Sequence, residues 1–308
     1  MLRQQPSRLA ASVQAVLVVF VWSTSWILVK RHLHDIPALS FAGLRYGLAF
    51  VCLLALLVAR SAPRSSVVAL PRRGWLRLGA LGLLLYGLTQ ATVFLGLTRL
   101  PAVTVSLLLS LTPALVTVLA IPLLGEVPAP LQAGGVLLSL AGTLVYFGPV
   151  TLPASQLAAV AVVAVGVVAF AAATMLGRSV NRDDGLPALT VTVVSMGIGS
   201  GLLLAMAVVH DGIPRLTLSS WLVVLWLAVV NTAVAFTVWN YTMRRLSAME
   251  SSLINNTMLV HVAVLAWIFL DEWPGTRGML GLVLVAGGVV LVHLRRVGNR
   301  QLTSQTHH

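Results

Sequence analysis

The chain has 308 residues, of which 58% are hydrophobic and only 9% are charged, and this composition excludes an ordinary soluble domain. Its formal net charge of +12 would favour nucleic acid as a partner if the basic residues formed one polar face. Nineteen of the 20 are instead Arg residues, most of which flank apolar runs as they do at lipid-headgroup boundaries, so we expect a polytopic membrane protein that binds lipid and no nucleic acid.

Ten apolar runs follow one another along the chain, each near the roughly 20 residues that a helix needs to cross a bilayer. The first run lacks a small-residue cleavage site, which favours a retained helix over a signal peptide. The single Cys52 excludes a disulfide or a cysteine metal site within one chain. We predict an all-α integral membrane protein with transmembrane helices at 12–30, 38–59, 75–97, 101–124, 130–148, 157–177, 187–209, 220–242, 248–270 and 276–294.

The distribution of basic residues predicts the orientation, because cytoplasmic loops carry the excess of Arg and Lys. With ten spans, both termini lie on one side of the membrane. That side collects fourteen of the basic residues, and the other side holds five. We therefore predict a multi-pass protein of the cell (plasma or inner) membrane, with both termini and the tail 295–308 in the cytoplasm.

An internal repeat at an offset of 146 residues is the most informative feature of the sequence. Between 99–144 and 245–290, 15 of 46 positions are identical, against about 5 expected by chance in so apolar a chain. Each copy contains five spans, and because five is odd the second copy enters the membrane from the opposite side. Inverted repeats are typical of secondary transporters, although a duplication retained only for stability is the alternative.

Residues 98–147 and 231–292, together with WSTSW at 22–26 and FAGLRYGLA at 41–49, resemble the two repeats of the EamA family in the drug/metabolite transporter superfamily. The resemblance implies ten helices in two inverted five-helix repeats, 12–148 and 157–294, around a central cavity. It also implies a carrier that exports small metabolites, such as amino acids or related amphipathic compounds, by alternating access.

Arg45 lies about seven residues into the second span, roughly 10 Å from the nearer boundary, which is too deep to reach the headgroups easily. One interpretation is a cavity cation that attracts a substrate carboxylate or closes an external gate. The other is a buried structural pair with Glu272 or Asp271.

The ninth span is too polar on several faces to contact lipid in its first half. Asn255 and Asn256 are therefore predicted either to bind substrate or to hydrogen-bond neighbouring helices. His261 lies near the centre of this helix, where it could carry a coupling proton or simply pack. Glu250, close to two Arg residues near the cytoplasmic end, is interpreted mainly as an interfacial carboxylate.

Aromatic rings and amides at mid-membrane depth complete the predicted substrate site, because together they suit an amphipathic metabolite. Packing alone also explains the rings. The additional candidates are Trp22, Tyr86, Gln90 and Asn231. Trp239, nearer the cytoplasmic end, is a candidate for the inner gate.

Glu126 and Glu272 fall in register in the repeat and end the fourth and ninth spans on opposite sides, each followed by a helix-stopping proline two residues later. They are predicted to hold turns or to act as an inner and an outer gate. Pro113 offers a hinge within the fourth span, and glycines of the fifth and tenth spans are predicted close-packing positions.

A carrier is the leading hypothesis, and the chain is not expected to be an enzyme or to need a cofactor or a metal. An intramembrane hydrolase using Ser200 and His261 is the alternative from another class, although the spacing around Ser200 does not match the known serine signature. A channel is the third, but the sequence contains no charge ring or filter motif. Proton coupling and a monomeric or homodimeric state are left open.

Overall fold

A computed structural model of the protein describes residues 7–32, 35–59, 71–100, 102–109, 130–147, 156–183, 186–212, 214–270 and 275–288, with isolated positions between 111 and 121 and at 291. All regular secondary structure in these ranges is helical, as the composition predicts. The helices are α1 (Arg8–His32), α2 (Ala38–Ala59), α3 (Arg72–Arg99), α4 (Ala102–Leu109), α5 (Pro130–Phe147), α6 (Leu157–Asp183), α7 (Ala188–His210), α8 (Leu218–Thr242), α9 (Ala248–Asn256 and Met258–Leu270) and α10 (275–288).

Seven of the described helices are long and apolar enough to cross a membrane, namely α1, α2, α3, α6, α7, α8 and α9. The described parts of α4, α5 and α10 are shorter, and the predicted spans at those places include residues outside the described ranges. The protein is thus a multi-pass, all-helical membrane protein, and the count of ten spans stays a prediction.

Two ends of the bundle can be distinguished by contacts between helix termini. Arg178 near the end of α6 donates to the carbonyl of Met243 just after α8, and Arg244 donates to the carbonyl of Leu186 just before α7. We call this the N-terminal end, because α1 begins there. At the far end, Arg31 of α1 donates to the carbonyl of Phe269 in α9.

Helices of the two halves pack on each other, and the pattern of these contacts is unchanged when the two halves are interchanged. Helix α1 packs on α8 and α9, and correspondingly α6 packs on α3 and α4. Likewise, α2 packs on α8 as α7 packs on α3, and α2 and α7 pack on each other. Every one of these contacts has its counterpart when each helix is replaced by the one five places along.

Glycines join α5 to α10, as the sequence predicts. A Cβ on Gly142 would lie 2.7 Å from the carbonyl oxygen of Gly281, and one on Gly288 would lie 2.6 Å from that of Gly135. These distances leave no room for a side chain, so the backbones touch. At the offset of 146, Gly135 matches Gly281 and Gly142 matches Gly288, so the two contacts also exchange with each other.

Two short π-helical segments interrupt α3 and α8. They span Leu83–Leu88 and Val229–Val234, which are separated by the same offset of 146 residues. A π turn closes hydrogen bonds five residues apart instead of four, so it adds one residue to the helix and rotates everything that follows. Leu85 of the first segment lines the central cavity described below, and Thr232 of the second accepts a hydrogen bond from Arg45 in the wall of that cavity.

Candidate functional site

The central cavity has a volume of about 380 Å³. It lies among α1, α2, α3, α4, α6, α8 and α9 and reaches toward the far end at Leu97 and Leu100. Its wall is mostly apolar and aromatic, with a few polar groups, which is the usual composition of a small-molecule site. The lining residues with polar groups or rings are Trp22, Ser25, Trp26, Arg45, Tyr46, Thr89, Gln90, Phe94, Phe170, Phe236 and Asn255.

Arg45 is the cationic side chain of the described cavity wall. It is only 5% exposed, and its Nε donates a 2.8 Å hydrogen bond to the hydroxyl of Thr232 in the π segment of α8. Its guanidinium carbon lies 5.3 Å from the ring centre of Tyr46. No carboxylate pairs with Arg45 within the described ranges. The proposed partners Asp271 and Glu272 lie outside them.

The amides of Gln90 and Asn255 contribute neutral polar groups to the same wall. Their side chains form no hydrogen bonds with other residues of the described part of the chain. Ser25 and Thr89 also line the cavity, but their hydroxyls already donate to the carbonyls of Trp22 and Leu84. Gln90 and Asn255 are therefore the two amides of the described wall whose side chains have no hydrogen-bond partner in the described part of the chain.

An aromatic cluster separates the cavity from the N-terminal end. The ring of Trp22 lies 4.7 Å from that of Phe236 and 5.1 Å from that of Trp239. Tyr46 and Tyr86, both fully buried, pack on Phe236 from the other side. Trp239, the candidate for an inner gate, is therefore part of this closure together with Trp22.

Beyond the aromatic cluster, a polar network links α6, α7 and α8. The amide of Asn181 donates to the side-chain oxygen of Asn240 at 3.2 Å, and Asn240 in turn donates to the hydroxyl of Thr192 at 2.8 Å. The hydroxyl of Tyr86 lies beside Asn240 and Ser195. All of these side chains are buried, so the N-terminal end is closed both by packing and by hydrogen bonds.

The side-chain amides of Asn231 and Asn256 form hydrogen bonds between helices. Asn231 donates to the carbonyl of Val21 at 2.5 Å and to the hydroxyl of Thr24 at 3.0 Å, both in α1. Asn256 donates to the hydroxyl of Ser139 in α5 at 2.8 Å.

Four of the eight predicted binding residues line the 380 Å³ cavity, namely Trp22, Arg45, Gln90 and Asn255. The other four do not, namely Tyr86, Asn231, Asn256 and His261.

His261 lies at the contact between α9 and α1. Its ring meets the partly lipid-exposed ring of Phe20 edge to face at 5.6 Å, and its buried Nδ1 has no hydrogen-bond partner among the described residues. Ser200, its proposed partner in a hydrolase, belongs to α7, and its hydroxyl lies 3.4 Å from the carbonyl of Gly197. The structure does not bring these two residues together.

Glu250 is part of a capping box at the start of α9. Its carboxylate accepts a 2.7 Å hydrogen bond from the backbone of Ser247, whose hydroxyl accepts one from the backbone of Glu250. This reciprocal pair satisfies two free N–H groups of the helix end. The proposed gates Glu126 and Glu272, and the proposed hinge Pro113, lie outside the described residues.

Asp211 ties the end of α7 to the start of α2 at the far end. Its carboxylate accepts hydrogen bonds from the backbone N–H of Ser40 at 2.8 Å and from its hydroxyl at 3.0 Å. Burial opposes ionisation, but the bonds from His210 and Ser40 outweigh it and hold the pKa of Asp211 below its ordinary value. The sequence analysis did not identify this contact.

The sequence analysis also missed Phe236 as a site residue, as well as the role of Thr232 in holding Arg45. A signal for Phe236 was available, because the repeat offset of 146 aligns it with Gln90, a candidate already recognised. The contact between Thr232 and Arg45 had no such signal, since the two residues are 187 positions apart.

A bundle of apolar helices around a cavity of small-molecule size, closed at one end, defines a multi-pass membrane transport protein. Sequence comparison narrows this class to one family. The sequence model of the EamA-like transporter family matches residues 9–148 and again residues 157–294. The chain belongs to the EamA-like transporter family, as the sequence motifs predict.

Three similar proteins agree with this assignment. The chain is 29% identical over 233 residues to the "Probable terminal-alkyne amino-acid exporter" of Streptantibioticus cattleyicolor, covering 73% of this chain and 74% of that protein. It is 24% identical over 286 residues to "Uncharacterized transporter YoaV" of Bacillus subtilis, with coverages of 90% and 94%. It is 26% identical over 227 residues to "Protein PecM" of Dickeya dadantii, with coverages of 72% and 75%.

A solved crystal structure is similar in fold. It superposes with a TM-score of 0.77 and covers 94% of this chain and 99% of its own, at 21% sequence identity. At this identity the likeness establishes the fold alone.

Proposed function

We propose that the protein is a secondary transporter that exports small amphipathic metabolites, amino acids or related compounds, across the cell membrane by alternating access. The observation that carries this proposal is the central cavity, which extends toward the far end and is separated from the N-terminal end by the aromatic cluster and the polar network. A cavity that opens to one end at a time is what alternating access requires.

The relation between the halves supports a second state. The cross-half contacts survive exchange of each helix with the one five places along, and the two glycine contacts exchange with each other. Such a relation is expected of inverted repeats, where each half can adopt the conformation of the other. In the second state, the far end would close and the N-terminal end would open.

The cavity wall supports an amphipathic solute with an acidic group. One buried cation, Arg45, and two neutral amides provide the polar contacts, whereas rings such as Trp26 and Phe94 provide apolar ones. A volume of about 380 Å³ lies in the range of small-molecule sites. The name of the Streptantibioticus relative refers to amino-acid export. Amino acids carry the carboxylate that such a wall would bind.

Direction and orientation rest on further arguments. The exporter name of one relative favours export, and the fourteen-to-five distribution of basic residues favours cytoplasmic termini. With that orientation the cavity of this structure faces outward. His261 does not line the cavity, so any proton coupling through it would act through the contact between α9 and α1.

Flux in proteoliposomes tests the proposal. Uptake and efflux of labelled amino acids, aromatic metabolites and organic cations are measured with and without a pH gradient, together with counterflow against the same unlabelled solute. We expect saturable counterflow of at least one amphipathic acid, and a loss of about a hundredfold or more on Arg45→Gln, because a buried charged partner is removed.

Arg277→Gln is the matched control, since Arg277 is exposed at the start of α10 and donates only to the carbonyl of Val145. It should transport like the wild type. Absence of counterflow for every solute under every gradient would contradict the proposed function. Cleavage of a membrane peptide under the same conditions would favour the hydrolase instead.

A further inference from the structure

In the hydrogen bond between Arg45 and Thr232, the roles are fixed: the guanidinium group donates and the hydroxyl accepts. Thr232 is fully buried, and its hydroxyl donates its single hydrogen to the carbonyl of Leu227, five residues earlier, at 2.8 Å. The oxygen is then free only to accept, which it does from Nε of Arg45 at 2.8 Å. The π segment brings this hydroxyl to Arg45, because the bond to Leu227 follows the five-residue spacing of that segment.

The fixed Nε orients the rest of the guanidinium group. Tyr46 packs beside it at 5.3 Å, so the group is held on two sides. The two Nη groups make no hydrogen bonds with residues of the described ranges, and Arg45 lines the cavity. A planar pair of N–H donors directed into a cavity matches the two oxygens of a carboxylate.

The charge of the cavity wall is unbalanced. Its described lining contains one cation and no carboxylate, and the amides of Gln90 and Asn255 in the same wall are neutral. A carboxylate bound to Arg45 would be paired. The ammonium group of an amino acid would be removed from water without an anionic partner, and this desolvation is costly.

We infer that Arg45 and Thr232 form a preoriented carboxylate receptor, and that the cavity selects amphipathic monoanions over zwitterionic amino acids with the same side chain. The preferred solutes are carboxylates in which the amine is absent or acylated. This inference rests on the proposed function, and it makes Thr232 a positioning residue for Arg45.

Binding to the purified full-length protein tests the receptor without requiring transport. The probes are N-acetyl-L-phenylalanine and 3-phenylpropionate as monoanions, L-phenylalanine as the zwitterion and L-phenylalaninamide as the cation. Binding is followed by isothermal titration calorimetry, with quenching of Trp22 and Trp26, which line the cavity, as a second readout. We expect both monoanions to bind at least about tenfold more tightly than L-phenylalanine, because only the zwitterion leaves an ammonium group unpaired.

Three substitutions separate charge from orientation. Arg45→Lys keeps the charge but loses the planar fork, and we expect affinity for the monoanions to fall about tenfold. Thr232→Val keeps the shape but removes the accepting oxygen, with a similar expected loss. Thr232→Ser should retain wild-type affinity, which a purely packing role for Thr232 would not explain.

Thr237→Val is the matched control, because Thr237 also lies in α8 and its hydroxyl bonds only to the carbonyl of Ala233. It should bind like the wild type. Equal affinity for L-phenylalanine and its N-acetyl derivative would overturn the selectivity, and wild-type affinity in both Thr232→Val and Arg45→Lys would overturn the receptor.

Transport of the same probes separates this inference from the proposed function. Counterflow of the zwitterion that equals that of the monoanions would overturn the selectivity and leave the carrier intact. Arg45-dependent binding of monoanions without any flux would uphold the receptor and overturn the carrier. Absence of binding by every probe would overturn the receptor.

Discussion

Positions that match in the two halves do different work at the two ends of the bundle. At the offset of 146, Gln90, Val93 and Phe94 of α3 correspond to Phe236, Trp239 and Asn240 of α8. All of the first three line the cavity, whereas Phe236 alone of the second three does. Of the second three, Phe236 and Trp239 pack into the aromatic cluster and Asn240 joins the polar network.

The difference between these sets indicates what holds one end closed. Bulky rings fill this end of the bundle, and the buried amides beyond them join three helices. At the far end, Gln90 and Val93 occupy the aligned positions that correspond to Phe236 and Trp239. Closure of the far end would therefore depend on smaller side chains. The predictions below weaken the closed end first and then the far end.

Removal of the ring of Trp239 should have the largest effect. Trp239→Ala removes one of the two rings that pack on Trp22, and loss of a buried Trp side chain costs about 3–5 kcal/mol. The closed end should therefore open. The measurement is labelling of Ser25→Cys, in a Cys52→Ser background, by an impermeant maleimide applied from the N-terminal side. We expect labelling to rise about tenfold or more.

Trp226→Ala is the control for this substitution, since Trp226 is in the same helix but 55% exposed. It should leave the labelling of Ser25→Cys unchanged. Unchanged labelling in Trp239→Ala would mean that the aromatic cluster is not the barrier.

Loss of the Asn240 amide should have an intermediate effect. Asn240→Leu removes the acceptor for Asn181 and the donor for Thr192, and unsatisfied buried polar groups cost about 1–3 kcal/mol. We expect a lower thermal unfolding midpoint and a few-fold rise in labelling of the same cysteine from the N-terminal side.

Asn256→Leu makes the matched comparison. Asn256 is also a buried amide between helices, but its partner is Ser139 in α5. Its loss should lower the unfolding midpoint without raising the labelling. Equal labelling in the two variants would show that the polar network has no special role in closure.

Acidification should have the smallest effect, and it acts on the far end. The pKa of Asp211 is held below its ordinary value, so its contact with Ser40 stabilises the protein above the pKa of an unfolded Asp, about 3.9. This stabilisation is lost as the pH falls through the lower, folded pKa. The unfolding midpoint of the wild type should therefore fall more steeply below about pH 4 than that of Asp211→Asn.

Asp35→Asn provides the control, because Asp35 is an exposed carboxyl at the same end. It should keep the wild-type pH dependence. If the unfolding midpoint of Asp211→Asn depends on pH as that of the wild type does, the contact with Ser40 is not the cause of the acid sensitivity.

Depth along a helix can be counted from the sequence, but the direction that a side chain faces cannot. Arg45, Gln90 and Asn255 were proposed as substrate-binding residues, and they line the cavity. Asn256, one residue from Asn255, is turned by about 100° and bonds to α5 instead. The repeated glycines were predictable as close-packing positions, because glycine is the residue that lets two backbones touch.

The contact between Thr232 and Arg45 could not be predicted for a related reason. A regular α-helix over 218–242 gives each residue a definite face, but the π segment adds a residue and rotates the second half of the helix. Residues on either side of it therefore do not share the face that a period of 3.6 assigns to them. This rotation determines which residues of α8 reach α1 and α2.

The paired π segments also carry information about descent. An extra residue in a helix arises by insertion, and two independent insertions would rarely fall at the same aligned position. Both segments begin at matching positions, 83 and 229, which is what is expected if a single unit already carried the irregular turn before it was duplicated.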